Sequence, residues 1–341
     1  MELPTQTALV LAAQAGDQRA FEALVEPYQR ELLVHCYRML GSFHDAEDLL
    51  QETLLRAWEK RETFTSPGSF RAWMYRIATN LCLNTLTRQP RRSLSPRTHA
   101  ALDPAKPLPP RQSEPIWLEP FPDELLADQR IEPEQRALQR EYTTLAFLVA
   151  LQQLTPTQRA VLLLREVLDW PANDVAEWLN LSVPAVNSAL QRARRALQEH
   201  NSLSEKETAL PLPQLQSLLD RYVKCWEQAD IPGFVALLRE DAWFTMPPLP
   251  FWFQGRVAIV TELSTRIRVP GKHWRLLPTR ANGSPAFGLY RQEAQADNYQ
   301  LFGLMVLGVV EGQIANMVLF PEPSSFSSFA LPPTLPGVAL R

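Results

Sequence analysis

Apolar residues recur every three or four positions through most of the first 90 residues. Four successive stripes run between positions 8 and 88, and one of them contains Phe21, Leu24 and Tyr28. This spacing places the apolar side chains on one face of an α-helix. Turn-forming residues interrupt the stripes at Gly41-Ser42 and over positions 65–69. The pattern therefore predicts a compact all-helical domain over residues 8–90.

Residues 91–133 have a different character. Ten prolines fall between positions 90 and 133, which excludes a regular helix over most of this stretch. Its first part is basic, and its second part, from Glu114 to Asp123, is acidic and aromatic. A linker that only spans a distance does not require large aromatic side chains such as those of Trp117 and Phe121. We therefore expect this proline-rich linker to dock against another surface.

Helical periodicity returns over residues 134–200 and shows three helix starts. The first is at Thr155, where a threonine cap is followed by proline and, three residues after the cap, by glutamine. The second lies at Trp170-Pro171. The third, at Ser182, follows Asn180, a residue that tolerates the left-handed conformation. We predict three helices, the last two joined by about three residues as in a helix–turn–helix.

The remaining chain, residues 210–330, mixes helix and strand patterns. Helices are predicted over 215–229 and 231–238. Apolar runs flank Glu311-Gly312 as in a β-hairpin. Strand-like segments cover residues 242–246, 274–278, 286–290, 299–310 and 313–320. We predict an α+β domain that ends in a proline-rich tail.

Composition narrows the class of protein. Glycine is scarce, 12 of 341 residues, and proline is abundant, 30 of 341, which favours helices joined by stiff linkers over glycine-rich phosphate loops. A net charge of −3 excludes a uniformly basic nucleic-acid protein but permits a basic face. The three cysteines form no CxxC pair, so we expect neither a zinc site nor a disulfide framework.

Targeting and membrane-spanning signals are not evident in the sequence. The longest apolar run, residues 301–310, is half of what a spanning helix needs. The N-terminus has no basic region followed by an apolar core. We expect a cytoplasmic protein with no membrane contact, no metal and no cofactor.

The predicted helix–turn–helix, residues 171–197, carries residues suited to DNA. A recognition helix needs short polar side chains to meet base edges and cationic side chains to meet phosphates. The first role falls to Ser182, Asn187, Ser188 and Gln191, and the second to Arg192, Arg194 and Arg195. The alternative is an amphipathic helical pair with a solvated basic end.

An acidic face runs along the segment from Asp45 to Trp58. At helical spacing, Leu49, Leu50 and Leu54 face inward. The exposed face combines carboxylates with one amide: Asp45, Asp48, Gln51 and Glu52. Such a face would suit a basic coiled-coil partner, with Leu49 beside it. The alternative is an ordinary solvated surface.

A polar stripe follows in the segment from Phe70 to Arg88. Asn80, Asn84 and Arg88 recur every four residues and so share one helical face. Amides can bond an unstacked base and a guanidinium can hold a phosphate, with Arg91 and Arg92 just beyond. Two aromatic residues, Trp73 and Tyr75, either stack on bases or belong to the core.

Taken in this order and spacing, the three segments resemble the bacterial sigma-70 superfamily, specifically its extracytoplasmic-function group. The segment from Asp45 to Trp58 is similar to region 2.2, which clamps onto the coiled coil of the polymerase β′ subunit. The segment from Phe70 to Arg88 resembles regions 2.3–2.4, which melt and read the −10 element, and residues 171–197 resemble region 4.2, which reads the −35 element.

This resemblance implies the partners. They are the bacterial RNA polymerase core, through its β′ and β subunits, and promoter DNA whose two elements lie about twenty base pairs, or two helical turns, apart. The family commonly has cations at the positions of Asn187 and Ala189, and often aspartate at that of Asn84. Fewer cations should lower phosphate affinity and its salt dependence, and no promoter sequence is implied.

The last domain resembles the SnoaL-like domain that follows the sigma regions in one subgroup. The residues that carry this likeness are those of positions 285–290 and 312–315, and the linker is similar as well. The fold is a cone-shaped curved sheet with helices, shared with ketosteroid isomerase and polyketide cyclases. The resemblance implies a multidomain chain, with two all-α sigma modules and an α+β domain. Its predicted parts are region 2 (8–90), linker (91–133), region 4 (134–200) and a SnoaL-like regulatory domain (210–330).

Three classes of function remain to be separated. A sigma factor regulated in cis uses every segment, and a small apolar ligand is a candidate occupant of the cone. An isomerase- or cyclase-like enzyme would need an acid or base in the cone, for which the candidates are Asp241, His273, Tyr290 and Glu293. A repressor that uses only the helix–turn–helix would have no function for the segments from Asp45 to Trp58 and from Phe70 to Arg88.

Overall fold

The computed structural model describes residues 5–64, 70–88, 92, 94, 100–107, 117–126, 142–201, 210–267, 271–293, 296–321, 326 and 328–337. Its contacts divide the chain into two units. The first combines Met1–Arg92 with Leu125–Ser202, and the second combines Ser93–Glu124 with Leu203–Arg341. Each unit is therefore built from two separated stretches of the chain.

Four helices form the first half of the first unit. They are α1 (Gln6–Gln14), α2 (Gln18–Leu40), α3 (Phe43–Glu59) and α4 (Phe70–Leu86). The predicted break between α2 and α3 is confirmed. Gly41 ends α2 in the left-handed conformation (φ 74°), and the Ser42 hydroxyl accepts from the Asp45 backbone N–H to begin α3.

The second half of this unit is also helical. It contains α5 (Leu145–Gln152), α6 (Pro156–Leu162), which continues as a π-helical turn over Leu163–Val167, α7 (Ala172–Leu179) and α8 (Val183–Asn201). Thr155 and Gln158 form both hydrogen bonds of the predicted capping box. Asn180 is left-handed (φ 53°), and residues 180–182 join α7 to α8. The predicted helix–turn–helix is confirmed, and α5 is an additional helix ahead of it.

Two buried arginines join the halves of the first unit. Arg38, near the end of α2, donates to the Tyr142 carbonyl (3.0 Å) and the Thr143 hydroxyl (3.2 Å) ahead of α5. Arg159 of α6 donates to the Met39 carbonyl. Both arginines are at most 3% exposed, and burial lowers the pKa of Arg38 to about 10. Since a buried charge requires good hydrogen-bond partners, these contacts restrict how the halves pack.

A mixed sheet and three helices make up the described part of the second unit. The helices are α9 (Leu212–Glu227), α10 (Ile231–Leu237) and α11 (Arg256–Ile267). The strands are β1 (Leu238–Thr245), β2 (Trp252–Gln254), β3 (His273–Ala281), β4 (Ser284–Gln292), β5 (Asn298–Val310), β6 (Gln313–Phe320) and β7 (Thr334–Pro336).

The strands form one sheet in the order β2-β1-β6-β5-β4-β3, with β7 pairing to β5. Only β1 and β6 run parallel among the described pairs, and the other pairs are antiparallel. Glu311 and Gly312 both have positive φ between β5 and β6, which confirms the predicted hairpin turn. The expected fold class, helical modules followed by an α+β domain, is confirmed.

Helix α9 packs against one face of this sheet, and the C-terminal tail packs against the other. Tyr222 and Trp226 of α9 pack against Phe287 and Trp274, with ring centroids 5.4 and 5.5 Å apart. On the opposite face of β4, the Tyr290 hydroxyl donates to a carbonyl of the C-terminal tail (2.8 Å, Pro332). Alternation along the strand thus buries one set of side chains under the helices and the other under the tail.

One helix of this unit was not predicted from the sequence. Helix α11 begins after Gly255, which has a positive φ of 86°. It buries Ile259 and Leu263, while Val257 is 79% exposed. Because an exposed valine obscures so short a stripe, the apolar spacing does not identify this helix. Strand β1 also begins earlier than predicted, at Leu238 immediately after α10.

Part of the linker packs onto the second unit. Phe121 is fully buried; its backbone N–H donates to the Asn282 side chain (2.9 Å), and its carbonyl accepts from the Asn282 N–H (2.9 Å). The Asp123 carboxylate accepts from the Gly283 N–H (2.7 Å) and from Arg280 (3.0 Å). Earlier in the linker, the Leu102 N–H donates to the Trp252 carbonyl (2.8 Å). The expectation that the linker docks is confirmed, and residues 93–124 belong to this unit rather than forming a free spacer.

We expect Asp123→Ala to lower the free energy of unfolding of the second unit by about 2 kcal/mol. The change removes the acceptor of two hydrogen bonds from a carboxylate that is only 7% exposed. Chemical denaturation measures the loss, and amide exchange should rise over residues 117–126. Glu124→Ala is the matched control, because that neighbouring carboxylate is exposed. Equal stability of the two variants would contradict the docking contact.

Candidate functional site

The acidic face lies on α3, which begins at the Ser42 cap. Asp48 and Gln51 are exposed, and Glu52 is half-buried. The expectation that three leucines face inward is only partly met, because Leu50 is buried whereas Leu49 and Leu54 are half-buried. Leu49 therefore lies at the border of the acidic face, where a partner could reach it.

Two residues of this face already have partners. The Asp45 carboxylate forms an ion pair with Arg92 (2.5 Å), whose side chain is only 10% exposed. Glu52 pairs with Arg56 one turn along the helix (2.6 Å). Arg92, predicted to meet DNA phosphate, is therefore held against α3 instead of pointing to solvent. A pair separated by 47 residues cannot be inferred from helical spacing.

An apolar side chain on α3 was missed by the sequence analysis. Leu55 is 54% exposed, and it lies seven positions after Asp48, so it continues the same helical face. An exposed leucine beside carboxylates is a mixed apolar and acidic surface. The seven-residue spacing between Asp48 and Leu55 is the feature of the sequence that could have identified Leu55 as part of this surface.

The polar stripe lies on the exposed side of α4. Asn80, Asn84 and Arg88 are all exposed, as the four-residue spacing predicts. Arg91 lies outside the described residues. Trp73 is half-buried against Phe64, with ring centroids 5.3 Å apart.

Tyr75 belongs to the core and not to the stripe. It is 1% exposed and makes an edge contact with His35, with ring centroids 5.1 Å apart. Burial raises the pKa of Tyr75 and lowers the pKa of His35 to about 3, so both side chains are neutral at pH 7. The interpretation of Tyr75 as a base-stacking residue is therefore wrong, because its ring is enclosed by protein.

The helix–turn–helix presents most of its candidate residues to solvent. Helix α8 packs through Val186 and Leu190, which are buried. Six predicted DNA-contacting residues lie on the rest of its surface, where only Ser188 is half-buried: Asn187, Ser188, Gln191, Arg192, Arg194 and Arg195. Ser182 is exposed just before the helix, and its hydroxyl accepts from the Ala185 backbone N–H (3.3 Å). The structure thus brings these side chains to one surface.

Two arginines of this surface differ in their contacts. Arg192 donates to the Ser188 hydroxyl one turn earlier (2.6 Å). Arg194 pairs with Glu166 of the π-helical turn. Arg194 therefore has an internal counter-ion that the sequence analysis did not anticipate, since it considered acids only along α8.

The candidate catalytic residues of the second unit do not converge. Asp241 lies on β1 and pairs with Arg239 (2.8 Å), whereas His273 is exposed on β3 at the other end of the sheet. Glu293 pairs with Arg291 (2.7 Å). Tyr290 faces the tail, and burial raises its pKa to about 12. His273 pairs in register with Gln292, next to Glu293, whereas Asp241 lies apart from both.

Metal-ligand clusters and spanning helices were sought in the described part of the chain. No group of three or more histidine, cysteine, aspartate or glutamate side chains could hold a metal ion there. None of the helices described is long and apolar enough to cross a membrane.

Comparison with known proteins identifies the family. The sequence patterns of "Sigma-70 region 2" and "Sigma-70, region 4" match residues 24–92 and 144–197. The chain is 43% identical over 336 residues to the ECF RNA polymerase sigma factor SigG of Mycobacterium tuberculosis, covering 96% of this chain and 89% of SigG. The chain belongs to the ECF sigma factors.

Two further relatives of this ECF sigma factor show how far each likeness extends. SigW of Bacillus subtilis is 28% identical over 184 residues, which covers 54% of this chain and 90% of SigW. The crystal structure of SigJ of Mycobacterium tuberculosis has a TM-score of 0.57 at 21% identity and covers 90% of this chain and all of SigJ. SigJ therefore shares the overall fold. As an ECF sigma factor, the chain is an alternative sigma factor, which binds core RNA polymerase and promoter DNA to initiate transcription.

Proposed function

We propose that three helical faces of this ECF sigma factor bind, respectively, core polymerase, the −10 element and the −35 element. The acidic face of α3, with Asp45, Asp48, Leu49, Gln51 and Glu52, binds the β′ coiled coil of core polymerase. The stripe of Asn80 and Asn84 on α4 and Arg88 just beyond it, continued by Arg91, contacts the −10 element, while Arg92 supports this surface through its ion pair with Asp45. The exposed side of α8 contacts the −35 element, and region 4 also reaches the β subunit. The observation that supports this assignment is that three polar faces are exposed on separate helices, in the chain order of the family.

The packing of the first unit sets a constraint on DNA binding. A compact unit of about 170 residues has a diameter of about 40 Å. Promoter elements about twenty base pairs apart are separated by about 70 Å along B-DNA. The α4 and α8 faces must therefore move apart before both elements are engaged. The packed form is a closed state of the sigma factor.

One predicted domain of the chain, the SnoaL-like domain, regulates the change from the closed to the open state in this proposal. In this proposal region 2 covers residues 8–90, region 4 covers residues 134–200, and the SnoaL-like domain covers residues 210–330. The linker of residues 91–133 joins the two regions, and its docked portion is bound through Asp123 and Phe121. A domain that holds the linker, and is tethered to region 4 at high effective concentration, regulates the factor in cis.

The SnoaL-like domain acts as a regulator rather than an enzyme in this proposal. The ion pairs of Asp241 with Arg239 and of Glu293 with Arg291 favour this choice, since a carboxylate held by an arginine is a weaker general base. A small apolar ligand inside the cone is a second means of control. Its effect is limited to the difference in its affinity for the closed and open states.

We expect Asp48→Lys with Glu52→Lys to abolish binding to core polymerase, with an affinity loss of at least about a hundredfold. The change places like charges against a basic coiled coil, which costs several kcal/mol. Co-purification and a binding titration with purified core measure it. Glu22→Lys with Glu26→Lys on α2 is the control with the same change in net charge. Unchanged core binding by the α3 variant would refute the assigned face.

We expect Arg88→Ala and Arg192→Ala to weaken promoter binding by the holoenzyme across sequences, and each to reduce the salt slope by about one. Asn80→Ala should instead impair strand opening and base preference at the −10 element, because an amide contacts a base and not a phosphate. Permanganate footprinting and binding at several salt concentrations separate these effects. Arg19→Ala, on the exposed side of α2, is the control. Identical behaviour of all three variants would contradict the division between phosphate and base contacts.

We expect the full chain and a truncation ending near Ser204 to differ clearly in transcription with purified core. Removing the SnoaL-like domain frees the linker and alters the balance between closed and open states. Asp123→Ala in the full chain should shift activity in the same direction, so the test does not depend on the folding of the truncation. Equal activity of all forms, with and without added cell extract, would deny the domain a regulatory role and favour the enzyme hypothesis.

A further inference from the structure

A cleft in the first unit runs along the polar stripe of α4. Its volume is about 630 Å³, within the range of roughly 300–1,000 Å³ typical of small-molecule sites. One wall comes from the end of α3 and from α4. The other comes from Glu177 and Trp178 of α7, so the cleft has both walls only while regions 2 and 4 pack together.

The charges of this cleft favour an anion. Three cations line it, Arg56, Lys60 and Arg76, together with the carboxylate of Glu177, and Arg56 also pairs with Glu52 of its own helix (2.6 Å). Glu177 is 75% exposed and only 3.9 Å from Arg76, a weak surface pair. Lys60 has no ion pair with any residue that the structure describes. Lys60, with the guanidinium of Arg56 beside it, can therefore hold a phosphate chain.

The remaining walls favour a nucleobase. Trp73 is fixed by Phe64, and Trp178 is fixed edge-on against Trp170 with ring centroids 4.7 Å apart. Aromatic surfaces of this kind stack on bases. The Asn80 and Asn84 amides, one helical turn apart, offer both donors and acceptors to a base edge.

We infer that this cleft binds a free nucleotide with two or more phosphates, and that the nucleotide holds the sigma factor in its closed state. Because Trp178 belongs to region 4, a ligand touching both walls binds the closed form better than the open form. Such a ligand reduces the open population in proportion to its saturation. Nucleotide binding itself does not depend on the proposed function. Only the expected effect of the nucleotide on core binding rests on that proposal.

The test uses the full chain and ATP as the probe, with GTP, CTP and UTP as further probes of the base. Isothermal titration should give saturable binding of ATP, while adenosine and inorganic triphosphate each bind at least about tenfold more weakly because each lacks half of the contacts. Lys60→Ala should weaken ATP binding about tenfold by removing a charge-assisted bond. Lys106→Ala, an exposed lysine of the linker, is the matched control.

The contribution of region 4 is tested separately. Trp178→Ala should weaken ATP binding about tenfold through loss of stacking, and Trp178→Phe should restore most of it. A short single-stranded DNA is the second arm. If Trp178→Ala leaves ATP affinity unchanged, or if the DNA displaces ATP equally well from the natural chain and from Trp178→Ala, region 4 does not hold the nucleotide and the inference fails. No saturable ATP binding also overturns it.

The effect on opening is measured as association with core polymerase, with no other nucleotide present. ATP should slow association of the full chain by the factor expected from its occupancy, and this effect should vanish in Lys60→Ala. Core binding without ATP reports on the proposed function independently. ATP binding without any change in association would overturn the claim that the nucleotide holds the closed state.

Discussion

The packing of the first unit depends on how the end of α2 is satisfied. A helix leaves its last carbonyls without partners inside the helix, and cations are favourable at that end of the dipole. Here Arg159 supplies a donor to Met39, and Arg38 leaves the same turn to bind the backbone ahead of α5. Both guanidinium groups are buried, so separating the halves exposes or orphans them together. The cleft between α4 and α7 lies within the unit whose two halves these bonds join.

Local signals in the sequence predicted much of this fold because they act within a few residues. The Gly41-Ser42 break, the Thr155 capping box and the Glu311-Gly312 hairpin each depend on the conformational preference or side-chain bond of one turn. The exposed stripe of α4 followed from a four-residue period. Helix α11 was missed because Val257 lies outside its apolar face.

Contacts between residues far apart in the sequence could not be predicted from these local signals. The sequence placed Asp45 and Arg92 at different interfaces, whereas folding brings them into one ion pair. It also left open whether Tyr75 was core or contact surface, which depends on what packs over α4. In the second unit, the enzyme hypothesis needed an acid or base in the cone and had four candidates, and the strand order separates one of them, Asp241, from His273. Strand order was not predicted from the sequence.

The docked linker has a consequence for the reach of the molecule. Its two ends lead to different regions, one through Arg92 to α4 and the other through Leu126 to α5. The chain between Leu126 and Tyr142 spans at most about 58 Å when fully extended. Once that slack is used, further separation of the regions puts tension on the bonds at Asn282 and Gly283. The second unit, which contains the docked linker, is therefore part of the covalent path that joins the two regions.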